Sequence, residues 1–444
     1  MTRPRAAVIG GGISGLATAV RLTGLGHQVT LYEAEPGLGG LGTTFPYEDG
    51  HLEKFYHCIL PDDDALLGFI RELGLEGDLL WRRTDMGFMH DRRTYPLNTP
   101  VDLLRFSPLP FVDRIRMGLL GIRARLRGRD PALDDRTVSE WLISQVGQRA
   151  FDTVWRPLLE AKVGDSYPGI PALWLSSRMN REKSTKLEVK GCLVHGYRSL
   201  IDAFERYLVE RGTIIRTSTR VTAVSQEPAG MRVATEHDST GFDHVVVTLP
   251  LVQFQSLTRG IDLPAQVADI RLDYQGVVSG VFLLDKPLTS YYWMPVVSSG
   301  ATCQGIIEMS NLVPLERSQG RYVTYLVNYT HRESALFARS DDDLLAAYRA
   351  DLAALFPGSE ETIVDAFLFR APFVEPIWTV GYQRVKPPTS IIPGRLYLAS
   401  TAQVYPRVNS WDSSCEVVEG MIETLAIETV ALREAEASPA PAAA

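Results

Sequence analysis

Val8-Ile9-Gly10-Gly11-Gly12-Ile13-Ser14-Gly15-Leu16 is the stretch on which the fold turns. Three of its glycines stand at G-x-G-x-x-G spacing directly after the apolar run Ala6 to Ile9, the pattern of a strand that bends sharply into a helix. Each glycine then has its own task. Gly10 permits the tight bend, Gly12 admits the close approach of a pyrophosphate, and Gly15 lets the helix lie on the strand. The helix offers unpaired backbone N–H groups and the positive end of its dipole to phosphate. A second apolar strand, Gln28 to Tyr32, ends in Glu33, where a carboxylate accepts hydrogen bonds from ribose hydroxyls. The doublet Gly39-Gly40 follows and lets the chain pass close to a bound dinucleotide. A glycine-rich turn in some other α/β domain is the competing reading.

Strand, glycine turn, helix, strand, acid and doublet, taken in that order, resemble the N-terminus of FAD-containing amine oxidase and protoporphyrinogen oxidase-like flavoproteins. The resemblance implies an α/β fold: a Rossmann-like FAD-binding domain of the glutathione-reductase type, a β-rich substrate lobe and a helical insertion. It implies FAD contacts at Gly10, Gly12, Ile13, Ser14, Gly15, Glu33, Gly39, Gly40, Leu41, Val221, Thr248, Ser400, Trp411, Asp412 and Ser413.

At 444 residues the chain needs two or three lobes rather than one core. A net charge of −8 argues against a nucleic-acid partner, because affinity there rests on neutralising phosphates. The cysteines Cys58, Cys192, Cys303 and Cys415 are scattered, without a C-x-x-C pair or a ligand cluster, which points to a reducing compartment and no structural metal. Cys415 is read as a buried core residue rather than a point of covalent flavin attachment. Arg3 and Arg5 ahead of an apolar stretch mimic a signal peptide, but four glycines fit the dinucleotide turn better. No run approaches the roughly 18 apolar residues that span a bilayer. The expected location is the cytoplasm, with contact to a membrane surface left open.

The FAD-binding domain is expected to be discontinuous, over residues 1–60, 190–252 and 380–433, with a helical insertion at 61–189 and a β-rich lobe at 253–379. Asp62, Asp63 and Asp64 suit a helix start ahead of Leu66, Phe69 and Ile70, and Thr137 with Glu140 spells a capping box. Val112, Ile115, Leu119, Ile122 and Leu126 recur as one apolar stripe. The same helix, 111–129, carries Arg114, Arg116, Arg123, Arg125, Arg127 and Arg129 against Asp113. It reads either as a solvated face or as a peripheral membrane contact. Further on, Val245 to Val247 reads as a buried parallel strand, and Val277–Leu284, Ala301–Met309 and Arg321–Tyr329 as β segments before a helix at Asp341–Leu355. Ser413 and Glu416 suggest a capping box for the closing helix, and 434–444 reads as a disordered tail.

In the resembled family the closing helix aims its N-terminus at the flavin ring. That implies a role for Asp412 to Cys415, and for Ser400 and Thr401 near the ribityl chain. Gly50 to His57 is similar to the segment beneath the flavin in UDP-galactopyranose mutases, which makes Tyr56 and His57 candidate catalytic residues beside the alternative of a buried histidine. Lys162 and Arg156 read either as helix-surface charges or as contacts for an anionic substrate, and Tyr405 lies in a loop similar to one in bacterial protoporphyrinogen oxidase-like proteins. Amine oxidases proper place a lysine on the first strand of the β lobe. The corresponding residues 274–281 contain none, which lowers simple amine oxidation. The expected function is an FAD-dependent oxidoreductase that takes a hydride from a small-molecule substrate. The alternatives are a mutase-like isomerase of nucleotide sugars and a non-catalytic FAD-binding protein.

Overall fold

Arg5–Ile9 is an inner strand of a six-stranded sheet, in a computed structural model that describes residues 3–127, 130–181, 189–297 and 300–437. Gln28–Tyr32 pairs with it in parallel on one side and His244–Val247 on the other, so that Val8 faces Leu31 and Val246. Ile214–Arg216 and Leu396–Leu398 extend the sheet in parallel, and Ser390–Ile392 adds an antiparallel edge. Val245, Val246 and Val247 are wholly buried, as a parallel strand covered on both faces demands. The helices Ile13–Gly24 and Trp411–Ala437 pack on one another beside this sheet.

The second sheet has seven strands. Asp273–Leu284 lies between Ile363–Ile377 and Tyr322–His331, followed by Gly305–Glu308, Trp293–Val297, Gly87–His90 and Arg93–Pro96. The β segments read from sequence are here, and so is the helix Asp341–Leu355. The last two strands correct the reading of 61–189 as helical. Gly87–His90 and Arg93–Pro96 form a hairpin that joins this sheet through Trp293–Val297, and Leu79–Arg83 pairs with Val189–Leu193. Such short strands, carrying Arg82, Arg83 and Arg93, show no apolar alternation, and outside the hairpin itself their partners lie about 100 residues or more away in sequence.

Other local signals hold with small shifts. The Thr137 hydroxyl accepts from the Glu140 N–H at 3.2 Å, and the Thr137 N–H donates back to Glu140 at 3.3 Å. The closing helix starts earlier than expected. Its reciprocal cap is Ser410 with Ser413 (2.9 and 3.2 Å), while Glu416 is ion-paired with Arg407. It also runs to Ala437, so 434–437 are helix rather than tail, and 438–444 lie outside the described residues. Among the described residues no helix is long and apolar enough to cross a membrane.

Glu308 gives the fold a pH signature. It is fully buried, with one carboxyl oxygen accepting from the Leu288 N–H (3.0 Å) and the Thr324 hydroxyl (2.8 Å). Burial pushes its pKa from the ordinary 4.5 up to about 7. Between those values the folded protein keeps a proton that the unfolded chain has lost, so stability falls as pH rises through the window and levels off above it. At about 1.4 kcal/mol per unit the whole drop is about 3 kcal/mol. Glu308→Gln is expected to flatten this slope in urea unfolding compared at about pH 5 and about pH 8. An unchanged slope would clear Glu308 of the effect.

Candidate functional site

The glycine turn divides its labour in a way the backbone makes explicit. Gly10 has φ +109°, and a Cβ there would stand 2.6 Å from the Thr248 hydroxyl. A Cβ on Gly15 would stand 1.8 Å from the Gly10 carbonyl oxygen, so this glycine serves the packing of helix on strand. Gly12 differs from both. Its φ of −75° suits any residue, and a Cβ would meet only the Gly40 Cα, at 3.8 Å. Nothing in the fold requires glycine here; the open space in front of it does. Gly12 is also the N-cap of Ile13–Gly24 without a side-chain cap, which leaves the first N–H groups of the helix for a ligand.

Glu33 ties the acid into this cradle. One carboxylate oxygen accepts from the Gly11 N–H at 2.7 Å and the other from the Glu35 N–H at 2.8 Å, with lone pairs left for hydroxyl donors. Gly39 (φ +122°) donates its N–H to the Gly11 carbonyl at 2.8 Å. Together these residues border a cavity of about 460 Å³, whose wall includes Gly10, Gly12, Ile13, Ser14, Glu33, Gly39, Gly40, Leu41, Thr248 and Trp411. The cradle, the uncapped helix start and the oriented acid fit the diphosphate and ribose of FAD.

In the same wall His57 sits between Tyr197 and Trp411, with ring centroids 5.2 and 5.4 Å away. Its Nδ1 donates to the Phe55 carbonyl at 2.9 Å, and burial pushes its pKa down, so the ring is neutral with Nε2 as acceptor. The Tyr56 hydroxyl lies 2.9 Å from that of Tyr329, and burial pushes both phenols up. Lys162, at the end of the helix Arg156–Val163, reaches the same wall. Its ammonium pairs with buried Glu375 at 3.1 Å and stands 3.8 Å from the centre of the Tyr329 ring. The second Glu375 oxygen and the Ser279 hydroxyl, both buried in this wall, have no hydrogen-bond partner among the described residues. Such groups call for a ligand or water donor.

Several expected residues are placed elsewhere. Gly15, Val221, Ser400, Tyr405, Asp412 and Ser413 are not in the cavity wall. Val221 is buried in the start of the strand Val221–Glu227. Ser400 caps a turn through the Ala402 N–H at 3.2 Å, leaving Thr401 to face the cavity. Asp412 accepts from the N–H groups of Ala65 (3.0 Å) and Leu66 (3.2 Å), and so caps Asp64–Glu72 instead of facing the cavity. Ser413 is spent on the Val408 carbonyl at 2.8 Å and on its cap partner Ser410. The Tyr405 hydroxyl is bonded to Asp134, and its ring is packed between Trp378 and Tyr382, which makes it a structural pin. Arg156 is ion-paired with Asp152 on the helix surface, and Cys415 is wholly buried in the core. Of the stretch Asp412 to Cys415 only Ser414 lines the wall, and Ser410, Glu375 and Tyr329 line it without having been singled out, for no spacing in the sequence marks them.

A second, apolar chamber of about 140 Å³ adjoins the first. Trp155, Leu158, Trp174, Leu175 and Trp293 form its sides, and Lys162, Arg178, Val327 and Tyr329 belong to both spaces.

Comparison with known proteins adds a family, two curated relatives and a solved structure. The family model described as flavin containing amine oxidoreductase matches residues 13–408. A zeta-carotene desaturase of Zea mays is 28% identical over 177 residues, 35% of this chain and 31% of that protein. A carotenoid phi-ring synthase of Streptomyces griseus is 27% identical over 329 residues, 64% of this chain and 60% of that protein. The chain thus spans about a third of the length of the first curated relatives it matches. Among solved structures, putrescine oxidase bound to putrescine superposes with a TM-score of 0.75 at 16% identity, over 96% of this chain and 99% of that one, which speaks for the fold alone.

Proposed function

This chain belongs to the flavin-containing amine oxidoreductase family, and from that membership we propose an FAD-dependent oxidoreductase that takes a hydride from an elongated, apolar small molecule. The observation that carries the substrate class is the meeting of two spaces at Lys162 and Tyr329: a cavity headed by a dinucleotide cradle, and a chamber walled by three tryptophans. Bound FAD supplies the ring that accepts the hydride. The chain does the rest. Gly10 to Ser14 and Glu33 hold the adenosine diphosphate half, while Thr401, Ser410, Trp411 and Ser414 stand along the remainder of the wall. The apolar chamber strips water from a long substrate and aligns it, which is most of what a protein contributes to such a step. Glu375, with one oxygen held by Lys162 and the other unpartnered, is placed to take a proton from the cavity side.

Two further points support an apolar substrate over a polyamine. The strand Asp273–Leu284 brings Val277 and Ser279, not a lysine, to the cavity. Curated relatives also carry a carotene and a carotenoid ring in their names. The test is anaerobic mixing of the FAD-loaded protein with a detergent-dispersed carotene, a diamine and a porphyrinogen. Bleaching of the flavin by the carotene alone is the expected result. Bleaching by the diamine alone overturns the substrate class, and a protein that takes up no FAD overturns the whole reading.

A further inference from the structure

The helix Phe111–Arg127 has two apolar faces where a surface helix needs one. Leu120 and Ala124 are buried in the core, and the Met117 sulfur accepts from the Trp155 indole N–H at 3.1 Å. The stripe that the sequence marks for burial points the other way. Phe111 is 64% exposed, Val112 60%, Ile115 42%, Leu119 41% and Ile122 56%, and Leu104 of the preceding helix Pro100–Arg105 adds to them at 41%. A contiguous apolar row of this kind on a protein surface marks an interaction site.

The charges beside the row select the partner. Residues 100–127 hold six arginines and two aspartates, on a chain of net charge −8. Both aspartates are engaged: Asp102 accepts from the Thr99 N–H at 2.9 Å, and Asp113 is buried beside Arg116 at 3.4 Å. Arg114 turns inward and donates to the Leu104 and Leu109 carbonyls, each at 2.6 Å, which locks the two helices into one surface. Arg105, Arg116 and Arg123 stay exposed at its edge. The side chains of Arg125 and Arg127, and all of Arg129, lie outside the described residues. A second copy of the chain docking here would set arginines against arginines, whereas an anionic bilayer answers both the apolar row and the charge.

We infer that the face made by Pro100–Arg105 and Phe111–Arg127 seats the protein on an anionic membrane surface, with the apolar row at the acyl boundary and the arginines among headgroups. The inference is independent of the substrate class. The helix then stands between the bilayer and the Trp155 wall of the apolar chamber, which Met117 touches from the core side.

The experiment is flotation of the full-length, FAD-loaded protein with vesicles of pure phosphatidylcholine and of equal parts phosphatidylcholine and phosphatidylglycerol. Native protein is expected to float with the anionic vesicles and to leave them at high salt. Ile115→Glu/Leu119→Glu and, separately, Arg116→Gln/Arg123→Gln are each expected to weaken binding roughly tenfold or more while the flavin content stays native. Native protein that ignores anionic vesicles overturns the inference, as do charge and apolar variants that bind like the native chain. So does a native dimer in sedimentation that Ile115→Glu splits, since a second copy then covers the face.

Discussion

Gly12→Val protein is expected to fold and to purify colourless, with FAD affinity down roughly a hundredfold or more, about 3 kcal/mol. The reason is the division of labour within the glycine turn. At Gly12 the backbone is extended, and a Cβ finds only the Gly40 Cα at 3.8 Å, so a side chain starts without a clash in the protein and grows into the space read for the ligand. Gly15→Val is the contrasting variant. Its Cβ would lie 1.8 Å from the Gly10 carbonyl oxygen, so the helix must leave the strand and the apoprotein itself loses stability. Thermal unfolding of the two apoproteins, with FAD titration followed by flavin fluorescence, separates the effects; apo forms are compared because bound FAD would raise the holoprotein's midpoint. A yellow Gly12→Val protein with native affinity would mean that the diphosphate lies elsewhere.

Lys162→Met is expected to cost roughly 3 to 5 kcal/mol of stability, because it strands the Glu375 carboxylate in the interior. Glu375 is buried, its contact with Lys162 is 3.1 Å, and its other oxygen already lacks a partner among the described residues. The loss should be largely restored in Lys162→Met/Glu375→Leu, since removing both charges leaves nothing uncompensated. Urea unfolding of the native protein, both single variants and the double variant closes the cycle. If the double variant is no better than Lys162→Met alone, the pair is not what holds this wall. Glu375→Gln keeps the shape and gives up the proton acceptor, so anaerobic flavin reduction by substrate should slow by about a hundredfold while FAD binding holds. Unchanged reduction would leave Glu375 a structural partner of Lys162 only.

Much of the molecule follows from short stretches of chain. Ala6 to Gly15, Gln28 to Glu33 and the doublet Gly39-Gly40 determine the opening βαβ unit and the cradle proposed for the diphosphate, because turn, dipole and acid are all set by short-range spacing. Thr137 with Glu140 fixes a helix start in the same local way. Which face of an element is buried is a different matter, since it depends on what docks there. The stripe from Val112 to Ile122 has helical spacing, yet the core took the opposite side, with Leu120 and Ala124. Asp412 sits where a helix start was expected to meet the flavin, and tertiary packing hands its carboxylate to the N–H groups of Ala65 and Leu66, over 300 residues away in the chain. Lys162, Tyr329 and Glu375 share one wall because a helix and two strands meet there. Local spacing determines backbone conformation through short-range sterics and hydrogen bonds, whereas a cavity is assembled from side chains whose separation along the chain carries no signal of their contact.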